Sequence, residues 1–156
     1  MEADRLRRMR AASGLAIAVS LLGAACSDVR IGVYATADEA RREGAIAKGW
    51  VPDGLPPGVI EIREAHDLDT NQRWGAFTFP AREHAGLRAL LDPAEIERGP
   101  LSCDAPGRLE SWPPLLKTPI DVAQLRAIGF HLYRGRDAAL LWAIHWPQGK
   151  AYYWTP

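Results

Sequence analysis

Hydrophobic and polar positions change period several times along this chain, and each change marks an element. Val29, Ile31 and Val33 alternate with polar or small residues, which predicts a short strand over 28–35. Thr36-Ala37-Asp38-Glu39 has the form of a capping box, so a helix should start there and run to Lys48, with Gly49 as its stop. Residues 50–58 are rich in Pro and Gly and predict an ordered loop, with Trp50 as a plug into the core. Residues 59–66 and 74–79 read as paired strands, because Asp67-Leu68-Asp69-Thr70-Asn71-Gln72 between them is turn chemistry. Leu87, Leu90 and Leu91 recur at helical spacing and predict a helix over 82–91. Asp92-Pro93-Ala94-Glu95 reads as a further helix start ending at Gly99. Gly99 to Pro114 predicts an irregular surface loop around Cys103. Thr118-Pro119-Ile120-Asp121 opens a short helix that stops at Gly129. Three strands follow, 130–134, 138–146 and 151–154, joined by Gly135-Arg136-Asp137 and Pro147-Gln148-Gly149-Lys150. The expected fold is α+β: an antiparallel sheet, made of a central hairpin and a C-terminal three-stranded meander, with short helices packed on one face.

Composition narrows the class and adds no chemistry. In 156 residues, 19 basic and 19 acidic side chains cancel, which argues against a nucleic-acid or polyanion partner. An apolar fraction of 47% and a charged fraction of 24% are those of one globular domain. No glycine-rich phosphate loop, paired-His metal motif or Ser-His-Asp signature is present, and nothing implies a cofactor.

The N-terminus reads as an address. Arg5, Arg7, Arg8 and Arg10 precede an uncharged stretch, 11–27, centred on Leu15, Ile17, Val19, Leu21 and Leu22. A basic start, a short apolar run and small residues after it form a secretory signal peptide, with Met9 as an alternative start. A retained membrane span would need about 20 apolar residues, and this run is shorter and rich in Ala and Gly. Leu22-Gly23-Ala24-Ala25-Cys26 resembles the lipobox of bacterial lipoproteins, although Gly23 stands where that family prefers Leu. The resemblance implies cleavage before Cys26, acylation of Cys26, and a bilayer as the first partner. In a Gram-negative host, Ser27 implies the periplasmic side of the outer membrane. The expected organisation is therefore a signal peptide over 1–25 and a single domain over 26–156. The signal carries four basic and two acidic residues, so the remainder has a net charge of −2. Ordinary cleavage after Ala25 is the competing reading, and it would leave Cys26 able to bridge Cys103.

A second resemblance covers 34–79. Tyr34 and the Ala40 helix precede Gly49-Trp50-Val51-Pro52, Leu55-Pro56, Ile60, His66-Asp67-Leu68-Asp69-Thr70-Asn71, Trp74, Phe77 and Phe79. This series resembles the YbbD head-like group of small bacterial envelope proteins. The group brings no established activity, so the resemblance assigns no catalytic residue.

Three constellations invite chemistry. Asp67, Asp69 and Asn71 begin as a calcium loop begins, but Gln72 replaces the turn glycine and Thr78 the bidentate glutamate. A self-capped hairpin turn is the simpler reading. Cys103 with His84, His131 or His145 would make a thiol hydrolase acting on cell-wall peptides, although Ser102-Cys103-Asp104-Ala105-Pro106 resembles such enzymes poorly. Trp142, Trp146 and Trp154 concentrate in the meander, where an exposed aromatic face would bind a glycan or a protein. Alternation puts Leu140, Trp142, Ile144 and Trp146 on one face, with Leu141, Ala143 and His145 on the other. The leading expectation is a lipid-anchored envelope protein whose domain is a non-enzymatic interaction module. Its partner would be an envelope protein, peptidoglycan or a toxin to be neutralised; the alternative is the Cys103 hydrolase.

Overall fold

The computed structural model describes residues 28–110, 112–137 and 139–156. The signal peptide, Met9 and Cys26 lie outside the described residues. The strands are β1 (Val29–Thr36), β2 (Ile60–Asp67), β3 (Arg73–Thr78), β4 (Leu91–Glu95), β5 (His131–Gly135), β6 (Leu141–His145) and β7 (Lys150–Trp154). The helices are α1 (Ala37–Arg42), α2 (His84–Arg88) and α3 (Val122–Ala127). All seven strands form one sheet in the order β1-β2-β3-β7-β6-β5-β4. Every neighbouring pair is antiparallel. The expected hairpin and meander are thus two parts of one α+β sheet, joined where β3 pairs with β7.

Local chemistry accounts for most boundaries. Thr36 Oγ1 accepts from Glu39 N at 3.2 Å, which is the cap that the sequence promises. The α-helix stops at Arg42, short of Lys48, because Gly44 takes a left-handed conformation (φ +81°) and closes a Schellman-like end. The second helix follows a 3-10 turn at Ala81–Glu83 and ends before Leu91, which begins β4. Asp121, not Thr118, caps α3, accepting from Gln124 N at 3.0 Å.

Three expectations are overturned, the last being that the helices pack on one face. The helix read over 92–99 is absent: Leu91–Glu95 is an edge strand, and Ile96 N–H bonds Leu132 O at 2.7 Å. Asp92 Oδ1 takes Ala94 N–H two residues on, a turn contact, and the stretch carries no apolar stripe to support a helix. The loop from Gly99 to Pro114 is not confined to the surface, since Cys103, Leu109 and Trp112 are buried.

That loop changes the architecture. On the first face of the sheet, Ile62, Phe77, Trp142, Ile144 and Tyr153 pack beneath Ala37 and Ala40 of α1, the 45–59 segment and Leu87 of α2. On the second, Ala65, Trp74, Leu132, Leu141, Ala143 and Trp154 pack beneath Cys103, Leu109, Trp112, Leu116 and α3. Helices therefore lie on both faces, not one. The cover on the second face is tied down by side chain to backbone bonds. Trp154 Nε1 donates to Ser102 O (2.8 Å), Trp112 Nε1 to Leu116 O (2.8 Å), and Cys103 N to Thr118 Oγ1 (2.9 Å).

Candidate functional site

Period two in β2 turns Ile62, Glu64 and His66 to the first face, so a carboxylate and an imidazole enter the core beside an isoleucine. Glu64 is 0% exposed and His66 3%. Burying such groups is costly unless they find partners. His66 Nδ1 and Glu64 Oε2 share a hydrogen bond of 2.8 Å, and Tyr34 Oη donates to Glu64 Oε1 at a long 3.4 Å. Of its neighbours in register, Gly32 on β1 leaves room for the carboxylate and Gly75 on β3 leaves room for Tyr153. A Cβ at Gly32 would strike Glu64 Oε1 and the Tyr34 phenol; at Gly75 it would strike the Tyr153 ring. Burial pushes the Glu64 carboxyl above its ordinary pKa, with the His66 bond opposing. Burial and then the Glu64 charge push Tyr34 up to about 12, which keeps the phenol protonated.

Residues far apart in sequence close over this pair. The Trp50 ring stacks on His66 at 3.6 Å between centroids and 10° between planes. Tyr153 Oη holds the Trp50 carbonyl at 3.0 Å, and Lys48 Nζ lies 4.4 Å from the centre of the Trp50 ring. Arg73 donates to the Gly49 carbonyl and bridges to Asp137 Oδ2 at 2.9 Å. Beside this clasp opens a cleft of about 370 Å³, walled by Ile46, Val51, Pro52, Leu90, Leu140 and Trp142. The Gly49-Trp50-Val51-Pro52 and His66-to-Trp74 segments therefore converge. Sequence reading had Trp50 as a core plug but missed Glu64 and Arg73. The available signal was a Glu and a His at inward positions of an otherwise apolar strand face.

The other expected site residues fall elsewhere. Trp142, Trp146 and Trp154 are buried, so these three offer no exposed stacking surface; Trp142 and Trp146 share the face that alternation assigns, and Trp154 lies on the other. Phe77 meets Trp142, and Trp112 meets Trp154, edge to face. Asp67 Oδ1 accepts from Asp69 N (2.9 Å) and Thr70 N (3.0 Å), and Asn71 holds a left-handed φ of +58°. These bonds lower the Asp67 pKa and spend the carboxylate on its own turn. Among the described residues no group of three His, Cys, Asp or Glu is placed to hold a metal. Cys103 is a buried free thiol whose pKa burial pushes up to about 12. No histidine hydrogen-bonds it: His84 packs on Phe79 and Trp146, His131 pairs with Glu95 and His145 packs on Phe130. Nothing in this arrangement activates a thiolate.

One surface is left open. The cover over the second face packs on Val29 of β1 but leaves Ile31 46% and Val33 57% exposed. They border a groove of about 220 Å³ with Arg63 and Leu109. Val33 and Arg63 also border a groove of about 490 Å³ that crosses β2 and β3 to Lys150 and Tyr152. No helix among the described residues is long and apolar enough to cross a membrane.

Residues 29–78, which span β1 to β3 with α1 and the buried Glu64–His66 pair, match the family model of the YbbD head domain. The chain is similar to that group over this part. No curated protein and no solved structure matches the chain.

Proposed function

We propose that this chain is a lipid-anchored protein of the bacterial cell envelope and that its folded part is a non-enzymatic protein-interaction module. The observation that carries the module is the uncovered apolar end of the second sheet face, Ile31 and Val33 beside two grooves. A sheet that buries tryptophans on both faces elsewhere leaves such a surface bare where a partner supplies the cover. The anchor rests on the lipobox-like Cys26 and the basic, uncharged and small-residue sequence before it. In a Gram-negative host the domain would face the periplasm from the outer membrane. Cys103 stays a packing residue in this reading.

Two measurements test it. The intact mass of the detergent-extracted protein should give a chain starting at acylated Cys26, with Cys103 as the thiol that labels after denaturation. An unacylated chain without a free thiol would withdraw the anchor in favour of a Cys26–Cys103 bridge. A photo-crosslinking residue in place of Val33 should capture a protein in intact cells, whereas the same residue at exposed Arg82 should not.

A further inference from the structure

The two edges of the sheet are finished differently. At β4, five residues long, Pro93 removes a donor, Asp92 takes the Ala94 N–H, and the register to β5 is broken between Leu91 and Glu95. Each device blunts an edge against pairing with another strand. The β1 edge has eight residues, no proline and an unbroken register from Val29 to Tyr34. A long, flat edge with apolar side chains beside it is a template for a further strand.

Backbone direction at this edge follows from two contacts. Asp28 O meets Leu68 N of the β2 end, while Ala35 N–H turns away from β2 and is taken by Glu39. By antiparallel alternation, Val29, Ile31 and Val33 turn their N–H and C=O groups outward. Ile31 and Val33 are also the residues whose side chains are exposed on the uncovered face.

We propose that two copies of this chain pair edge to edge through antiparallel β1 strands, about a two-fold axis at Gly32. The inference rests on reading the domain as a protein-interaction module, and it names the partner. In that register Ile31 of one copy lies opposite Val33 of the other. The two residues exchange both backbone hydrogen bonds, and their side chains meet on the open face. No other register centred within the strand sets these two outward residues against each other. Charge agrees with it. Arg30 lies on the first face, 66% exposed at its side chain, with Asp28 at 3.5 Å. The axis sets Arg30 opposite Tyr34 of the second copy, where α1 carries Glu39 and Glu43. Glu43 is close enough to Tyr34 to raise its pKa. Each copy thus brings an arginine toward Glu43 at the end of the other's α1, twice by symmetry.

The full-length protein in detergent should have the micelle-corrected mass of two chains by light scattering. Ile31→Lys/Val33→Lys should halve that mass with an unchanged circular dichroism spectrum, since both side chains are exposed. An Ile31→Cys/Val33→Cys variant should form a disulfide-linked dimer on oxidation. Hydrogen-bonded antiparallel partners sit ~5.5 Å apart at Cα, within disulfide reach, whereas residues two apart in one strand are ~6.6 Å apart with parallel side chains that do not point at each other. Ile31→Cys alone should link far less. A wild-type mass of one chain, or a dimer that survives the lysine variant, overturns the proposal. If the wild type is a single chain and the crosslinker at Val33 captures a different envelope protein, the second copy is wrong and the interaction module stands. If it captures neither, both fall.

Discussion

The two faces of this sheet are covered by different kinds of structure. The first lies under α1, α2 and a loop whose prolines and glycines set its path, and its buried cluster runs from Tyr34 on β1 to Leu91 on β4. The second lies under α3 and an irregular strap, 101–120, held by hydrogen bonds that Trp154 and Trp112 donate and Thr118 accepts. Both covers bury large aromatics, yet only the second ends early and leaves Ile31 and Val33 in water. The strap packs on Val29 and meets Ile31 and Val33 across a groove through Arg108, Leu109 and Glu110, without burying those two side chains. The difference separates packing that completes a domain from surface left for something else.

Breaking the comparison begins with its tryptophans. Trp142→Ala on the first face should cost ~3–5 kcal/mol in urea unfolding, the usual loss for a large buried aromatic. Trp112→Ala in the strap should cost a similar amount if the strap is core; a loss within ~0.5 kcal/mol would return it to the surface loops. The thiol beneath the strap sharpens the same point. Native Cys103 should react with a thiol reagent near pH 8 at least ~100-fold more slowly than the denatured chain, because it is buried and protonated. Equal rates would mean that the strap opens freely.

Glu64 gives the first face a pH signature in the acidic range. Its folded pKa is raised above the ordinary value of 4.5, so between that value and its raised pKa the native state holds the extra proton. Stability should therefore fall as pH rises through this window, and Glu64→Gln should remove that part of the slope in urea titrations at a series of pH values. An unchanged slope would mean that the carboxyl is already charged in the core. The smallest effect belongs to the open end of the second face. Ile31→Ser should cost the unfolding free energy of one chain no more than ~1 kcal/mol, since nearly half of the residue is exposed. A larger loss would show that the strap reaches further than the exposure of Ile31 suggests.

Much of the fold was legible because it is written in short-range patterns. Alternation in 140–146 assigned every side chain to its face, and Thr36-to-Glu39 and the 67–72 turn announced their own hydrogen bonds. The strand at Leu91–Glu95 was not legible, since Asp-Pro before Ala-Glu starts helices and guards sheet edges equally well. Only the nearby β5 decides between them. Burial of Cys103, Leu109 and Trp112 was hidden for the same reason: a strap without period carries no sign of which residues face inward. The Glu64–His66 pair was half visible, as two polar residues at inward positions. Its acceptability depends on Gly32 across the ladder, and single-sequence reading gives no register between strands.

The first strand begins at Val29, three positions after Cys26. With Cys26 acylated, Ser27 and Asp28 form the whole leash, and two residues reach no more than ~7 Å. Such a domain does not sample a volume; it rides on the lipid surface and turns about a short pivot, as a floating tile does. An axis at Gly32 normal to the sheet would then stand along the membrane normal, so both leashes could reach one leaflet with the paired sheet lying flat. Encounter between copies would become a two-dimensional search with orientation largely fixed in advance, which strengthens on the membrane the pairing that the β1 edges already make in detergent.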